Sequence, residues 1–431
     1  MTDTVHDAKR VANSPACSAL IPRYRLCRFC SAPLERSFLD LGVSPLCQSH
    51  VTSAQLQQME PFYPLHAFVC ESCFLVQLEE FVAPESIFSE YAYFSSYSSS
   101  WVEHARLYAD TMIARLQLGP RSLVMEVASN DGYLLQHFVQ QAVPVLGVEP
   151  AANIARVAIE RGIRSEVCFL GTETAQQLIA QYGLADLVVG NNVLAHVPRL
   201  NDFIVGLRTL LAPHGVLTLE FPHLLRLIEG NQFDTIYHEH FSYFSFVTVE
   251  RILAKHGLKI FDVEELPTHG GSLRIHAGHQ GAVPHATTER VPRLRTLERN
   301  DGFETPGRYE GFAAQAARTK RALLRFMIDA REVGARIAGY GAPGKGNTLL
   351  NYCGIRTDLL EFTVDANPYK QGKYTPGTRI PILHPASIRE RRPDYVLILP
   401  WNLRDEIARE AAYIRDWGGR FVVGIPSLEV F

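Results

Sequence analysis

The sequence predicts an α/β protein of three parts: a small four-cysteine domain, a central doubly wound parallel sheet and a second, shorter parallel sheet. Six of the eight cysteines fall in the first 73 residues. Residues 121–220 alternate short apolar runs with helical segments, and the same alternation returns after residue 336. At 431 residues the chain is too long for one ordinary core, so we expect two or three domains.

The composition excludes several classes of protein. Hydrophobic residues make up 47% of the chain and charged residues 20%, which is typical of a soluble globular protein. The net charge of -3 gives no overall attraction to nucleic acid or to an anionic membrane. No apolar run approaches the roughly 18 residues that span a bilayer, and the N-terminus has no secretory h-region. We therefore expect a cytoplasmic enzyme with no nucleic-acid, membrane or obligatory protein partner.

Two C-x-x-C pairs predict a metal site. Cys27 pairs with Cys30 and Cys70 with Cys73, with 39 residues between the pairs. Each pair can form a knuckle that aims two thiolates at one metal, and four thiolates make a closed, structural zinc site. Four reduced cysteines, or a redox pair, are the alternative. Cys47 has no partner by spacing and is expected to be a bystander, as is Cys17.

The first strand of the central sheet leads into a loop that is typical of a ligand site. The apolar run 122–127 is followed by Ala128-Ser129-Asn130-Asp131-Gly132. Gly132 permits a tight turn and a close approach of the backbone to a ligand. The Asn130 and Asp131 side chains can bind the amino and carboxylate ends of that ligand.

Glu149 ends the second strand and indicates which ligand this is. A carboxylate about 20 residues after the glycine loop accepts hydrogen bonds from ribose hydroxyls, in dinucleotide sites and in S-adenosylmethionine (SAM) sites alike. No G-x-G-x-x-G follows the first strand, so a pyrophosphate cradle is missing and SAM is favoured; a domain without cofactor is the alternative. The residues expected at the SAM site are Glu126, Ser129, Asn130, Asp131, Gly132, Glu149, Asn191 and Asn192.

Residues 234–244 concentrate side chains that exchange protons. They include two histidines, one glutamate and two tyrosines, which act as acids and bases. His196 follows the predicted strand 187–190, where the carboxyl ends of parallel strands line a crevice, although a core or cap histidine would fit equally. A proton-handling cluster beside a methyl donor predicts methylation of a group that must first lose a proton.

The C-terminal part carries a weaker glycine pattern. Gly339, Gly341 and Gly344 fit G-x-G-x-x-G after the predicted strand 336–340, and Asp365 ends the next strand. This domain could bind NAD, or its glycine loop and Lys345 could hold the diphosphate of a nucleotide-linked substrate. Residues 281–308, rich in charge and proline, are predicted to form the linker before it.

The ordered set of motifs resembles the sugar C-methyltransferases that act on nucleotide-linked 4-keto-6-deoxy sugars, enzymes of branched deoxysugar biosynthesis. The resemblance runs from about residue 27 to about residue 428. Besides the two C-x-x-C pairs, its carriers are YAYFSSYS at 91–98, EVASNDGYLL at 126–135, GVEP at 147–150, NNVLAHV at 191–197, FDTIYHEHFSYFS at 233–245, HGGSLR at 269–274, GYGAPGKGNTLLNY at 339–352 and DANPYKQGKYTPGTRIPI at 365–382.

The resemblance implies an architecture and an activity. It implies an N-terminal extension and zinc-binding domain over 1–85, a SAM-dependent methyltransferase domain over 86–300 and a C-terminal Rossmann-like domain over 301–431. It also implies that the last domain holds the sugar nucleotide rather than NAD. The implied reaction removes the proton from C3 of the keto-sugar and methylates that carbon.

The same resemblance assigns roles to residues. It favours His240 over His238 as the base, a choice that the spacing of the two histidines leaves open. The residues that it implies for catalysis are His240, Tyr237, Glu239, His196 and Tyr91. Those expected to bind the substrate are Lys345, Asn347, Gly344, His269, Ser272 and Arg274. A small-molecule O- or N-methyltransferase, an NAD-dependent oxidoreductase and a non-catalytic zinc-ribbon protein are the competing functions.

Overall fold

The computed structural model describes residues 25–88, 94–282 and 285–431, so the expectation for Tyr91 lies outside the described residues. Three sheets carry the fold. The strands have these bounds: β1 Arg36–Ser44, β2 Tyr63–Val69, β3 Val76–Leu78, β4 Val124–Val127, β5 Val145–Val148, β6 Ser165–Glu166, β7 Ala185–Asn191, β8 Leu211–Pro222, β9 Ser242–Tyr243, β10 Leu258–Leu266, β11 Ser272–His279, β12 Ile337–Tyr340, β13 Thr363–Val364, β14 Ile382–Leu383, β15 Tyr395–Ile398, β16 Arg420–Val423 and β17 Glu429–Val430.

Helices cover and connect these sheets. They have these bounds: α1 Pro84–Phe88, α2 Ser99–Leu116, α3 Leu135–Gln140, α4 Ala152–Glu160, α5 Thr172–Tyr182, α6 Leu200–Leu210, α7 Leu224–Glu229, α8 Phe246–Lys255, α9 Arg290–Asn300, α10 Phe312–Glu332, α11 Gly344–Cys353, α12 Ala386–Arg391 and α13 Arg404–Glu410. None of the helices in the described ranges combines the length and apolar character that crossing a bilayer requires.

The N-terminal sheet is antiparallel, with the order β1-β2-β3-β9. Its first three strands lie between and after the two cysteine knuckles, so the long spacer between the knuckles is mostly the hairpin of β1 and β2. The fourth strand, β9, comes from the proton-handling segment and pairs with β3 at Val76 and Gln77. The cysteine domain is therefore joined through a sheet to the segment expected to carry the catalysis.

The central sheet has the order β10-β11-β8-β7-β4-β5-β6. Only β11, among these strands, is antiparallel to its two neighbours. The chain moves from β4 towards β6 in one direction and then returns to β7 and β8 on the other side of β4. The doubly wound sheet is confirmed, and its switch point, where such sheets bind ligands, lies beyond the carboxyl ends of β4 and β7.

The predicted linker 281–308 was wrong, because much of it is α9, packed into the core. Val291 and Leu294 are buried, and the carboxylate of Glu298 is fully buried. This carboxylate accepts hydrogen bonds from the first amides of α8, those of Phe246 at 2.7 Å and Val247 at 2.8 Å. A buried carboxylate that caps a helix 51 and 52 residues away leaves no trace in the local composition, which resembles that of a linker.

The C-terminal sheet is mainly parallel, with the order β14-β13-β12-β15-β16-β17. Its last strand alone runs antiparallel to its neighbour, among the strands described. The order again reverses at the first strand, here between β12 and β15. Gly341 adopts a φ of 87°, which allows the sharp turn from β12 into α11.

The N-terminal domain also packs directly against the C-terminal one. The carbonyl oxygen of Cys47 accepts a hydrogen bond of 2.7 Å from Nδ2 of Asn347, and Val51 pairs with Tyr374. The amide of Gly377 donates to Glu60 at 2.7 Å. These contacts bring all three sheets around a shared space.

Candidate active site

A cavity of about 1080 Å³ lies between the three sheets. Its size exceeds that of an ordinary small-ligand pocket, which makes room for two ligands at once. Eleven of the residues singled out in the sequence line it: Asn130, Glu149, Asn191, Asn192, His196, Tyr237, Glu239, His240, His269, Gly344 and Lys345. The fold thus brings the SAM loop, the proton-handling segment and the C-terminal glycine loop to one place.

The geometry of His240 assigns its tautomer. Its Nδ1 atom lies 2.9 Å from the carbonyl oxygen of Thr235. Because a carbonyl oxygen only accepts, Nδ1 carries the proton, and the neutral ring keeps its lone pair on Nε2. Nε2 has no hydrogen-bonding partner within the described ranges, and the side chain lines the cavity. This is the arrangement that a general base needs.

The surroundings keep His240 in its basic form. Burial lowers the pKa of its imidazole well below the usual value, and the nearby His196, His269 and Lys345 lower that pKa further. The ring of His240 lies 4.0 Å from that of Tyr237 and 4.8 Å from that of His196, measured between centroids. Burial also lowers the pKa of His196 to about 4, so both imidazoles are neutral at pH 7.

Tyr237 supplies a hydroxyl donor beside the base. Burial raises the pKa of its phenol well above the usual value, and the neighbouring Cys47 and Glu239 side chains raise it further. The phenol therefore stays protonated at neutral pH and can donate a hydrogen bond to an oxygen in the cavity.

His238 and Glu239 have hydrogen-bonding partners in the N-terminal domain. The Nε2 atom of His238 lies 3.1 Å from the carbonyl oxygen of Pro64, in the N-terminal sheet. Oε1 of Glu239 accepts a hydrogen bond of 3.5 Å from the thiol of Cys47, which was expected to be a bystander. Residues 237–240 form a tight turn, with the His240 amide bonded to the Tyr237 carbonyl at 2.8 Å, so the two histidines do not share a face.

The loop after β4 organises the floor of the cavity. Oε2 of Glu149 accepts from the amide of Asn130, and Oε1 accepts from the amide of Ala151, both at 2.9 Å. Oδ1 of Asn130 in turn accepts from the amide of Ser95 at 2.9 Å. The carboxylate of Asp131 is turned towards Ser96 and lies 3.3 Å from Arg161. Asp131 therefore holds the segment that precedes α2, and Asn130 and Glu149 face the cavity.

Glu126 shows why a cationic ligand fits this loop. It is fully buried on β4, and neither carboxyl oxygen has a hydrogen-bonding partner in the described part of the chain. Burial raises the pKa of Glu126 well above its usual value, and the carboxylates of Glu149 and Asp131 raise it further. Oδ1 of Asn191 and Oδ1 of Asn192 are also without partners there. SAM carries an ammonium and a sulfonium charge, so these acceptors fit it.

Ser129 and Gly132 support the same loop from behind. Ser129 is fully buried under the strand that carries Gly147, where an added Cβ would lie 2.5 Å from the Ser129 hydroxyl. Gly132 has a φ of 80°, and an added Cβ there would lie 2.2 Å from the Ile163 side chain. Both positions therefore require small side chains for packing, and neither lines the cavity.

Half of the residues expected to bind substrate have partners elsewhere. Arg274 is paired with the buried carboxylate of Glu220 at 2.6 Å, and the Ser272 hydroxyl donates to the Thr268 carbonyl at 3.0 Å. Although burial alone would raise the pKa of Glu220, His104 and Arg274 lower it to about 2. Asn347 is fully buried against the N-terminal domain.

Lys345 is the cation that faces the cavity from the C-terminal domain. Its Nζ atom donates to Oδ1 of Asn402 at 2.7 Å and lies 4.7 Å above the ring of Trp401. Burial lowers the pKa of Lys345, while Asp234 acts in the opposite direction. Neither Asn402 nor Trp401 was singled out in the sequence, because no motif marks a side chain that follows β15.

The place where a dinucleotide would meet α11 is taken by the N-terminal domain. A Cβ added to Gly344 would lie 2.9 Å from the Cys47 sulfur and 3.2 Å from Nε2 of Gln48. Asp365, which an NAD site would use for the ribose, accepts at 2.8 Å from the amide of Ala342 and lies 3.4 Å from Nζ of Lys370. This packing disfavours the oxidoreductase alternative.

The four knuckle cysteines meet as a metal site requires. Their sulfur atoms all lie within 4.8 Å of one another, and Cys27 to Cys73 and Cys30 to Cys70 are each 3.5 Å apart. Zinc bonded tetrahedrally to four thiolates separates sulfur atoms by about 3.8 Å, so the donor set fits zinc. Nε2 of Gln77 donates to the Cys27 sulfur at 3.2 Å, an outer hydrogen bond typical of such sites.

A second acidic cluster, Asp262 with Glu264 and His276, does not fit a metal. Asp262 is already paired with Arg115 at 2.9 Å and with Arg290 at 2.6 Å. Two guanidinium groups neutralise the carboxylate, so a cation there would be repelled.

Comparisons with known proteins agree with this layout. Family models described as "Putative zinc binding domain", "Methyltransferase domain" and "C-methyltransferase C-terminal domain" match residues 27–88, 101–263 and 267–426, respectively. The C-methyltransferase NovU of Streptomyces niveus is 35% identical over 404 residues, which are 94% of this chain and 96% of that protein.

Solved structures resemble a smaller part of the chain. The magnesium protoporphyrin IX methyltransferase of Synechocystis PCC 6803 with bound SAH is 18% identical, with a TM-score of 0.32, over 41% of this chain and 82% of that one. A SAM-dependent methyltransferase of Archaeoglobus fulgidus is 14% identical, with a TM-score of 0.32, over 40% of this chain and 93% of that one.

Proposed function

Because this chain belongs to the family of SAM-dependent C-methyltransferases, we propose that it methylates C3 of a nucleotide-linked 4-keto-6-deoxy sugar in branched deoxysugar biosynthesis. The observation that carries the proposal is His240, a neutral imidazole with a free Nε2 lone pair in a cavity lined by the SAM loop and by Lys345. A base in that place is required for methylating carbon, since a C–H bond must first lose its proton.

In the proposed reaction His240 takes the proton from C3, which the neighbouring C4 ketone acidifies. The electrons of the C3–H bond form an enolate, with the negative charge on the C4 oxygen. Tyr237, whose ring lies beside that of the base, would donate a hydrogen bond to that oxygen, and His196, on the other neighbouring ring, would contact the sugar. Bound SAM would supply an electrophilic methyl group, which C3 takes as the sulfonium S–C bond breaks.

The proposed binding roles follow the two sides of the cavity. Asn130, Glu149, Asn191 and Asn192 would hold SAM, with the unpartnered carboxyl group of Glu126 buried behind them. Lys345 would bind the diphosphate of the sugar nucleotide, beside His269. Zinc, held by the four knuckle cysteines, would fix the domain that pairs with β9 and would take no part in the chemistry.

The proposal is tested by offering the protein SAM with dTDP-, GDP- and CDP-linked 4-keto-6-deoxy sugars. Mass spectrometry should show a product heavier by one methylene unit, and NMR should place the new methyl group on C3. The matched 4-hydroxy sugars should remain unmethylated, because without the ketone the C3 proton is not acidic. Methylation of an oxygen, or equal methylation of the 4-hydroxy sugars, would contradict the proposal.

A further inference from the structure

The side chain of Trp401 lies where three cavity-lining elements meet. It follows β15, next to β12, at the point where the strand order of the C-terminal sheet reverses. Ligands of doubly wound sheets bind outside the strand ends at such a point. The neighbours of Trp401 in the chain, Pro400 and Asn402, line the cavity.

The first contact of Trp401 is with the loop that carries the proposed base. Its indole Nε1 donates a hydrogen bond of 2.8 Å to Oδ2 of Asp234. Asp234 is fully buried, and its Oδ1 has no partner in the described ranges, so the indole is the only side-chain donor to it there. The next residue, Thr235, supplies the carbonyl that fixes Nδ1 of His240. This hydrogen bond therefore ties the residue before that carbonyl to the C-terminal domain.

The second contact is with the turn that contains His269. Gly270 has a φ of 90°, and a Cβ added there would lie 2.5 Å from Cη2 of Trp401. The carbonyl of Gly270 also accepts a hydrogen bond of 2.7 Å from Nε2 of Gln232, three residues before Thr235. Gly270, the first glycine of the HGGS motif, is thus required because the indole packs directly on it.

The third contact is with the cation. Nζ of Lys345 lies 4.7 Å from the centre of the Trp401 ring, and Asn402 accepts its hydrogen bond. Trp401 and Asn402 together therefore restrict the position of the Lys345 ammonium group, which faces the cavity from the C-terminal domain.

We propose that Trp401 is a positioning residue, which holds the proposed base loop, the His269 turn and Lys345 in one geometry across the boundary between the central and C-terminal domains. Its kinetic consequence rests on the proposed function. A sugar nucleotide bound at Lys345 would then present its C3 to His240 without a separate adjustment of the loop, and small errors of placement lower turnover strongly.

The test compares Trp401→Phe with Trp417→Phe. Trp417 is a matched control, because its Nε1 donates a comparable bond of 2.9 Å to the Pro393 carbonyl in the same domain. Phenylalanine keeps an aromatic ring near Lys345, and it removes both the donor to Asp234 and the outer edge of the indole that packs on Gly270. We expect kcat for a dTDP-linked 4-keto-6-deoxy sugar to fall about 10- to 100-fold in Trp401→Phe, with SAM affinity unchanged. An unchanged kcat, or an equal fall in Trp417→Phe, would overturn the inference.

A double-mutant cycle separates positioning from general loss of structure. If Trp401 acts through Asp234, then adding Trp401→Phe to Asp234→Ala should lower kcat by less than about threefold further. Equal fold losses in both backgrounds would mean that the two residues act independently, and the inference would fail.

If the wild-type protein methylates no sugar, the proposed function fails, and the positioning role of Trp401 is then tested by NMR spectroscopy. In protein labelled with [¹³C]histidine, the resonance missing from His240→Asn identifies His240. Trp401→Phe should shift this resonance, and Trp417→Phe should leave it in place. No shift in Trp401→Phe would overturn the positioning role.

Discussion

Replacing His240 with asparagine removes the proposed base and keeps the hydrogen bond that holds its loop. The side-chain amide of asparagine reaches the position of Nδ1, so it can still donate to the Thr235 carbonyl that lies 2.9 Å away. No group then occupies the position of Nε2. Loss of a general base lowers turnover by about 10²- to 10⁴-fold, which corresponds to about 3 to 5 kcal/mol of activation free energy. The free energy of unfolding should change little, and SAM should bind as before.

The assay measures kcat with the keto-sugar and SAM affinity by calorimetry, in three variants. His240→Gln places its amide near Nε2 and abandons the Thr235 carbonyl, so it should lose turnover and about 1 to 3 kcal/mol of stability as well. His238→Gln preserves the donor to the Pro64 carbonyl at 3.1 Å and should keep kcat within about twofold of wild type. A His240→Asn variant within tenfold of wild type, or an inactive His238→Gln, would refute the assignment of the base.

Three further predictions concern the rest of the site. Chelation should release one zinc per chain and lower the Tm, because the cysteine domain shares a sheet with β9; a Tm that is unaffected by the release would contradict this. Arg274→Met should cost about 3 to 5 kcal/mol of unfolding free energy by leaving Glu220 buried without its cation, whereas a higher KM at unchanged stability would indicate that Arg274 binds substrate. Burial raises the pKa of Asp234 to about 7, so the folded state favours the protonated carboxyl group. The contribution of this group to the stability of the fold is therefore full below pH 4 and falls as the pH rises from 4 towards 7, where the unfolded chain ionises more easily. Asp234→Asn should therefore gain stability relative to wild type as pH rises from 4 to 8 in urea unfolding, by at most about 4 kcal/mol, and a difference that does not change with pH would contradict the raised pKa.

The sequence predicted those features that depend on neighbouring residues. The clustering of the four knuckle cysteines follows from the C-x-x-C spacing, since a knuckle is a local turn: Ser31 and Phe74, just after the two knuckles, share φ values near 60°. The doubly wound sheet follows from alternating apolar runs. Glu149 and Asn130 could be placed at the cavity because carboxyl ends of parallel strands meet at one edge of a sheet.

The features that the sequence did not predict depend on contacts between distant residues. The group that orients His240 is a backbone carbonyl, that of Thr235, which has no side-chain signature. The interpretation of residues 281–308 as a linker failed because Glu298 satisfies amides of α8, far away along the chain. The roles of Cys47 and Trp401 likewise arise only where separate domains meet.

The most direct test of the central claim is exchange of the C3 hydrogen of the keto-sugar with solvent. The wild-type protein is incubated in D₂O with the keto-sugar and S-adenosylhomocysteine, so that deprotonation can occur without methyl transfer, and deuterium at C3 is followed by NMR. We predict that wild-type protein incorporates deuterium at C3 well above the rate without enzyme, and that His240→Asn does not. Incorporation by His240→Asn at the wild-type rate would contradict the claim that His240 removes the C3 proton.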